Sequence, residues 1–136
     1  MLKAKIIQPS NSPYSSSIVL DPKPDGSKRV CIDYRKLNAI TIADNFTMPR
    51  IQDNLDSLSG SEFFTTLDLI NGYFQTFFEP ASIPKTAFTT ANGHFEFLRT
   101  PFGLRNAPSL FSRLMQIIFV SIVLLPRRYY VTFVIV

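Results

Sequence analysis

The sequence predicts an α+β fold, a mixed β-sheet with two helices packed on it. Three observations carry that expectation. Phe63-Phe-Thr-Thr-Leu-Asp-Leu69 is a β-branched and aromatic run that stops at Asn71-Gly72, a strand closed by a tight turn. Ala91-Asn-Gly93 separates Thr86–Thr90 from His94–Leu98, and Asn-Gly between β-prone runs is a strong hairpin signal. Leu110, Phe111, Leu114, Ile117, Ile118 and Ile122 recur at helical spacing and form one apolar stripe, a pattern that most often faces a core.

From the N-terminus, Gln8–Ser15 is a turn-and-loop segment by its Pro, Ser and Asn content. Ser17–Leu20 and Lys28–Asp33 read as two strands joined by Pro24-Asp-Gly-Ser27, where Pro presets φ and Gly accepts a positive one. Thr41–Pro49 is an irregular connector. Pro49 opens a helix to Ser59, with Ile51, Leu55 and Leu58 at helical spacing and Gly60 as its C-cap. The Phe63–Leu69 strand follows, then a short apolar piece at Thr76–Phe78 and a Pro-containing loop through Pro84. After the hairpin, Pro101–Leu104 is a loop. Asn106 as N-cap and Pro108 in the first turn start the last helix, which runs to Leu125 before Pro126. Tyr129–Val136 is a β-prone terminal run.

Composition bounds the function classes. The chain has 136 residues, 46% hydrophobic and 18% charged, which suits one globular domain or a piece of a larger one and excludes a disordered chain. A net charge of +4 permits a polyanionic partner without requiring one. The charge is unevenly placed: no Asp or Glu follows Glu96, whereas Arg99, Arg105, Arg113, Arg127 and Arg128 do. Cys31 is the single cysteine, so neither a disulfide framework nor a zinc site can be built; a buried inert thiol in a reducing compartment is expected. No secretory signal is expected. The apolar run from Ile117 to Leu125 is cut by Pro126-Arg-Arg128 well short of the roughly 18 residues that span a bilayer, so no membrane role is expected.

Few residues suggest chemistry on their own. Asp68 stands near the end of its strand beside a glycine, a suitable place to hold a divalent metal; an Asp before a turn is more often solvated or capping. His94 lacks a Ser or Cys partner at a recognisable spacing and reads as structural. The basic residues are scattered, with no run of five or more, so they read equally well as an ordinary basic surface or as contacts to a polyanion; Lys23, Lys28 and Arg29 lie near the tip of the first hairpin.

Taken together, several motifs are more specific. Ile6–Pro13, Asp25-Gly-Ser27 with Arg29, Asp33-Tyr-Arg-Lys-Leu-Asn38, Leu67-Asp-Leu69 with Gly72-Tyr73, Pro84-Lys-Thr-Ala-Phe88, Gly93-His-Phe-Glu-Phe97 and Pro101-Phe-Gly-Leu-Arg-Asn-Ala-Pro108 occur in that order. In this series the chain resembles the reverse transcriptase of gypsy-type LTR retrotransposons and, more distantly, retroviral polymerases. The resemblance spans residues 6 to 119 and implies a right-hand polymerase fold, incomplete here: fingers plus partial palm over 1–119, then a diverged apolar tail over 120–136. It implies that Asp68 is the first catalytic, metal-binding aspartate and that Leu69 offers its backbone carbonyl beside it. It implies that Arg29 and Lys23 contact the triphosphate of an incoming nucleotide. Tyr73 would lie under the sugar and exclude a 2′-hydroxyl, with Pro101, Phe102 and Gly103 bordering the same pocket. The family reaction is deoxynucleotidyl transfer with two Mg²⁺ ions, which activate the 3′-hydroxyl and neutralise the triphosphate. Implied partners are an RNA or DNA template-primer, deoxynucleoside triphosphates and the remainder of a Pol polyprotein, in an intracellular, by default cytoplasmic, setting.

The resemblance also marks what is missing. The family's Tyr-x-Asp-Asp hairpin belongs near Tyr130, where Thr132 and Phe133 stand in place of the two aspartates. The thumb, connection and RNase H portions are not in the sequence. Lys28 replaces the Trp expected after Asp-Gly-Ser, and Phe74-Gln75 replaces His-Gln. One carboxylate does not hold two ions, so the expectation is a polymerase fragment inactive as this chain alone. The alternatives are a non-catalytic nucleic-acid-binding module, or an inert remnant with the central strand's edge exposed.

Overall fold

The computed structural model describes all residues except 23–25, 27, 47–51, 53–55, 57, 61, 124–128 and 136, and describes 67, 68, 119–123 and 129–135 through the backbone alone. Its elements are β1 (Ile7–Pro9), β2 (Ser17–Pro22), β3 (Lys28–Asp33), α1 (Arg35–Ile40), β4 (Phe63–Leu69), β5 (Phe88–Thr90), β6 (Gly93–Phe97), α2 (Ala107–Val123) and β7 (Tyr129–Ile135). Short 3₁₀ turns cover Gly72–Gln75 and Pro80–Thr86. The chain divides into two units, Met1–Ala43 with Tyr73–Ala107, and Asp44–Gly72 with Pro108–Val136.

In the first unit, β6 is the middle strand of an antiparallel sheet between β1 and β5, with Gln8 opposite Glu96 and Phe88 opposite Phe95. The alternation of β6 turns Phe97 into a core with Phe88, Ala87 and Tyr34. Glu96 is also buried, and its carboxylate is satisfied by Gln8 Nε2 at 2.7 Å and Ser10 Oγ at 2.6 Å, as a charge removed from water requires. His94 is tied to Thr89 Oγ1 at 2.9 Å and to the Ser12 carbonyl at 3.2 Å, which agrees with a structural role. The expected loop through Pro84 is instead a 3₁₀ turn, since Pro80 and Pro84 hold φ near helical values without supporting a longer helix.

β2 and β3 form the expected hairpin, in register from Ser17 opposite Asp33 to Pro22 opposite Lys28. β2 extends two residues beyond the predicted Leu20. Apart from Gly26, with φ +79°, the turn lies outside the described residues. Cys31 corrects the expectation of burial: it is half-buried, because this two-stranded ribbon leaves Val19, Leu20 and Val30 exposed. α1 follows directly. Asp33 accepts from the Arg35 backbone N–H at 3.1 Å, Nε at 2.8 Å and Nη2 at 2.7 Å, which anchors the start of the helix.

In the second unit, β4 spans the predicted Phe63–Leu69 and pairs with β7 in parallel over all seven residues, Phe63 opposite Tyr129 through Leu69 opposite Ile135. Parallel neighbours need a crossover, and the chain between them supplies one that includes α2. The terminal run therefore lies along one edge of β4, where the remnant reading expects an open edge. The positive φ of the turn after β4 falls on Asn71, at +52°, while Gly72 is buried and starts a 3₁₀ turn. α2 begins at Ala107 as expected. Arg113 is paired with Asp44 at 2.9 Å and lies 5.0 Å over the Phe46 ring. The apolar stripe is only partly core: Phe111 is buried, whereas Ile117 and Ile118 are 67% and 51% exposed. Of the helix expected over Pro49–Ser59, Gln52 and Asp56 are helical and bonded at 3.1 Å, and Gly60 has φ +82°; residues 49–51, 53–55 and 57 lie outside the description. No helix among the described residues is long and apolar enough to cross a membrane.

Candidate functional site

An aromatic series in the first unit leads from the core to the expected nucleotide pocket. The rings of Phe95, Phe88, Phe97, Phe74, Phe102 and Tyr73 follow one another with centroid separations of 6.1, 5.2, 6.2, 5.3 and 4.9 Å. Phe74 meets Phe102 edge-on, a favoured aromatic geometry, so the half-exposed Phe102 and Tyr73 rings are braced by buried Phe97. Partial burial raises the Tyr73 phenol above its ordinary pKa and keeps it neutral.

The loop carrying Pro101, Phe102 and Gly103 is clamped by α1. Asn38 donates through Nδ2 to the Gly103 carbonyl at 2.8 Å and accepts from the Arg105 backbone N–H at 2.8 Å. Arg105 Nη1 reaches the Thr41 carbonyl at 3.3 Å, and Asn106 Nδ2 the Ile42 carbonyl at 2.8 Å. Gly103 has φ +89°, and a Cβ there would meet Ile32 O and Tyr34 Cδ2 at 3.7 Å, an ordinary contact. Backbone conformation, not space, demands glycine. Tyr34 is 2% exposed and donates to the Thr86 carbonyl at 2.9 Å; burial raises its pKa.

The structure thus brings Tyr73 and Phe102 together, with Pro101 buried and Gly103 alongside. Arg29 is exposed on β3 opposite Asp21, and Lys23 lies outside the described residues. Asp68 and Leu69 belong to the second unit, where β4 sets Asp68 level with Val134 and Leu69 level with Ile135. The positions expected to carry the missing aspartates, Thr132 and Phe133, stand level with Thr66 and Leu67. A two-ion magnesium site needs several carboxylate oxygens, and β7 supplies none. Among the described residues no group of three His, Cys, Asp or Glu is placed to hold a metal. The donor set does not fit the family's metal pair.

Sequence reasoning did not single out Asn38 as a clamp, Phe74 as a brace or the pairing of Arg99 with Phe77. Only the bias to 13 Phe without Trp hinted at the aromatic series.

Comparison with known proteins converges on one class. Residues 21–134 match the family model for reverse transcriptase (RNA-dependent DNA polymerase), and the chain belongs to that family. Its relatives include the retrovirus-related Pol polyproteins of the Drosophila melanogaster transposons opus, 48% identical over 121 residues, and gypsy, 46% identical over 122 residues; each match covers 85% of this chain. The chain spans only 12% of the length of either polyprotein, as a portion of the reverse transcriptase domain would. Among solved structures, the prototype foamy virus protease-reverse transcriptase superposes with TM-score 0.74 at 32% identity, over 89% of this chain and 16% of the viral one. A foamy viral protease-reverse transcriptase bound to an RNA/DNA hybrid gives TM-score 0.73 at 25% identity, with the same two coverages.

Proposed function

We propose that this chain is a fingers-and-partial-palm portion of a retrotransposon reverse transcriptase that binds nucleic acid and nucleotide but does not complete two-metal nucleotidyl transfer within its own 136 residues. The observation that carries the reading is the strand beside Asp68. β7 holds the place next to β4 and brings Val134, not an aspartate, level with it. Residues 1–119 form the working portion in this reading, and 120–136 the tail that lacks the catalytic hairpin.

Within the portion present, the roles are those that the family resemblance implies, and the chemistry of the residues suits them. The Tyr73 and Phe102 rings wall a nucleotide sugar. Arg29 and Lys23 offer charge to a triphosphate, Arg29 through a bidentate fork. Asp68 and the Leu69 carbonyl provide at most part of a Mg²⁺ site, one that the remainder of a Pol polyprotein would have to complete. The setting is inside the cell, where Cys31 stays reduced.

Primer extension on a primed RNA template with Mg²⁺, run beside anisotropy binding of the same hybrid at two salt concentrations, tests both halves. No extension is expected, together with binding that falls about tenfold or more between roughly 50 and 200 mM salt. Extension that Asp68→Asn abolishes would overturn the non-catalytic reading. A hybrid affinity indifferent to salt would overturn the binding reading.

A further inference from the structure

We propose that Phe77, backed by Arg99, is a stacking platform for an unpaired nucleobase, a site distinct from the nucleotide pocket and resting on the nucleic-acid-binding reading above. Phe77 is 72% exposed, yet it is held firmly. It forms an antiparallel bridge with Arg99, flanked by Phe78 N–H to the Leu98 carbonyl at 3.1 Å and Thr100 N–H to the Thr76 carbonyl at 3.0 Å. The Arg99 guanidinium lies 3.5 Å from the ring centroid and donates from Nη1 to the Gln75 carbonyl at 3.2 Å, so its plane is fixed as well.

An exposed guanidinium–ring contact recovers little of what burying a phenylalanine would give. The ring is therefore presented at a cost that a ligand is placed to offset. Neither of the two ion pairs among the described residues includes Arg99, so its charge remains available to a polyanion. A flat apolar surface on an isolated antiparallel bridge, with a cation behind it, matches the way single strands are held: bases stack on aromatic faces while positive charge follows the backbone, without sequence preference. A protein partner needs a broader apolar patch with a polar rim, and one ring beside a cation fits a base better.

The test is anisotropy binding of a fluorescent oligo-dT and its RNA counterpart to the full chain, comparing wild type with Phe77→Ala and Phe77→Tyr. Phe77→Ala is expected to weaken single-strand binding about tenfold without changing its salt slope, while Phe77→Tyr retains it. Circular dichroism of both variants confirms that the fold is kept. Wild-type binding that Phe77→Ala leaves unchanged would overturn the platform and spare the binding reading. No wild-type binding of any strand would overturn both. A change in oligomeric state with Phe77→Ala, at unaltered oligonucleotide affinity, would make the ring a protein contact and overturn the proposal.

Discussion

Asp33 shows how one side chain governs a junction. The Arg35 guanidinium and backbone N–H hold its carboxyl down at about 2, from an ordinary 3.8. A depressed folded pKa means that the contribution is present above the unfolded value and is lost as pH falls through the folded one. The β3–α1 junction should therefore weaken between about pH 4 and pH 2. Arg35→Gln should return the Asp33 titration toward 3.8, as read by carboxyl-carbon NMR. Thr76 is the opposite case, a buried hydroxyl with no hydrogen-bond partner among the described residues. Leaving a buried polar atom unmade is unfavourable, and a valine of the same shape removes it. Thr76→Val should raise stability by about 1 kcal/mol in urea denaturation.

Among the elements, α1 acts through one residue. Asn38 makes two hydrogen bonds to the segment that presents Phe102, one to the Gly103 carbonyl and one from the Arg105 N–H. Asn38→Ala should cost about 1–2 kcal/mol. It should also speed amide hydrogen exchange at Arg105 while leaving the β1–β6 ladder protected, since the clamp is local. The β4–β7 pair has a different origin. Its seven-residue register joins segments 66 positions apart in the chain, Phe63 with Tyr129 through Leu69 with Ile135, and β7 brings no carboxylate to it.

Across the whole molecule, charge and site separate. The proposed binding draws on positive charge that Asp68 does not provide, whereas catalysis would need Asp68 and further carboxylates. Asp68→Asn should thus leave hybrid affinity unchanged, and Arg29→Ala should lower it about two- to fivefold at low salt, both measured by anisotropy. The match to the reverse transcriptase family runs through residue 134, although no Asp or Glu follows Glu96 in the chain.

What the sequence determined by itself is local or motif-borne. The span of β4, both hairpins, the start of α2 and the family were legible, because a β-branched and aromatic run, Asn-Gly turns, Pro and Asn at helix starts and ordered motifs are written in neighbouring residues. Pro84 marked a loop whose 3₁₀ bonds it did not reveal. The helical stripe marked a core face on which Phe111 is buried while Ile117 and Ile118 are exposed, because periodicity records which face is apolar and not what covers it. Tertiary structure alone decided that Phe74 braces Phe102, that Asn38 grips Gly103, that Arg99 lies on Phe77 and that Val134 stands level with Asp68. Each of these joins residues far apart in the chain, and such pairings are set by how the backbone closes its loops, which no neighbouring residue records.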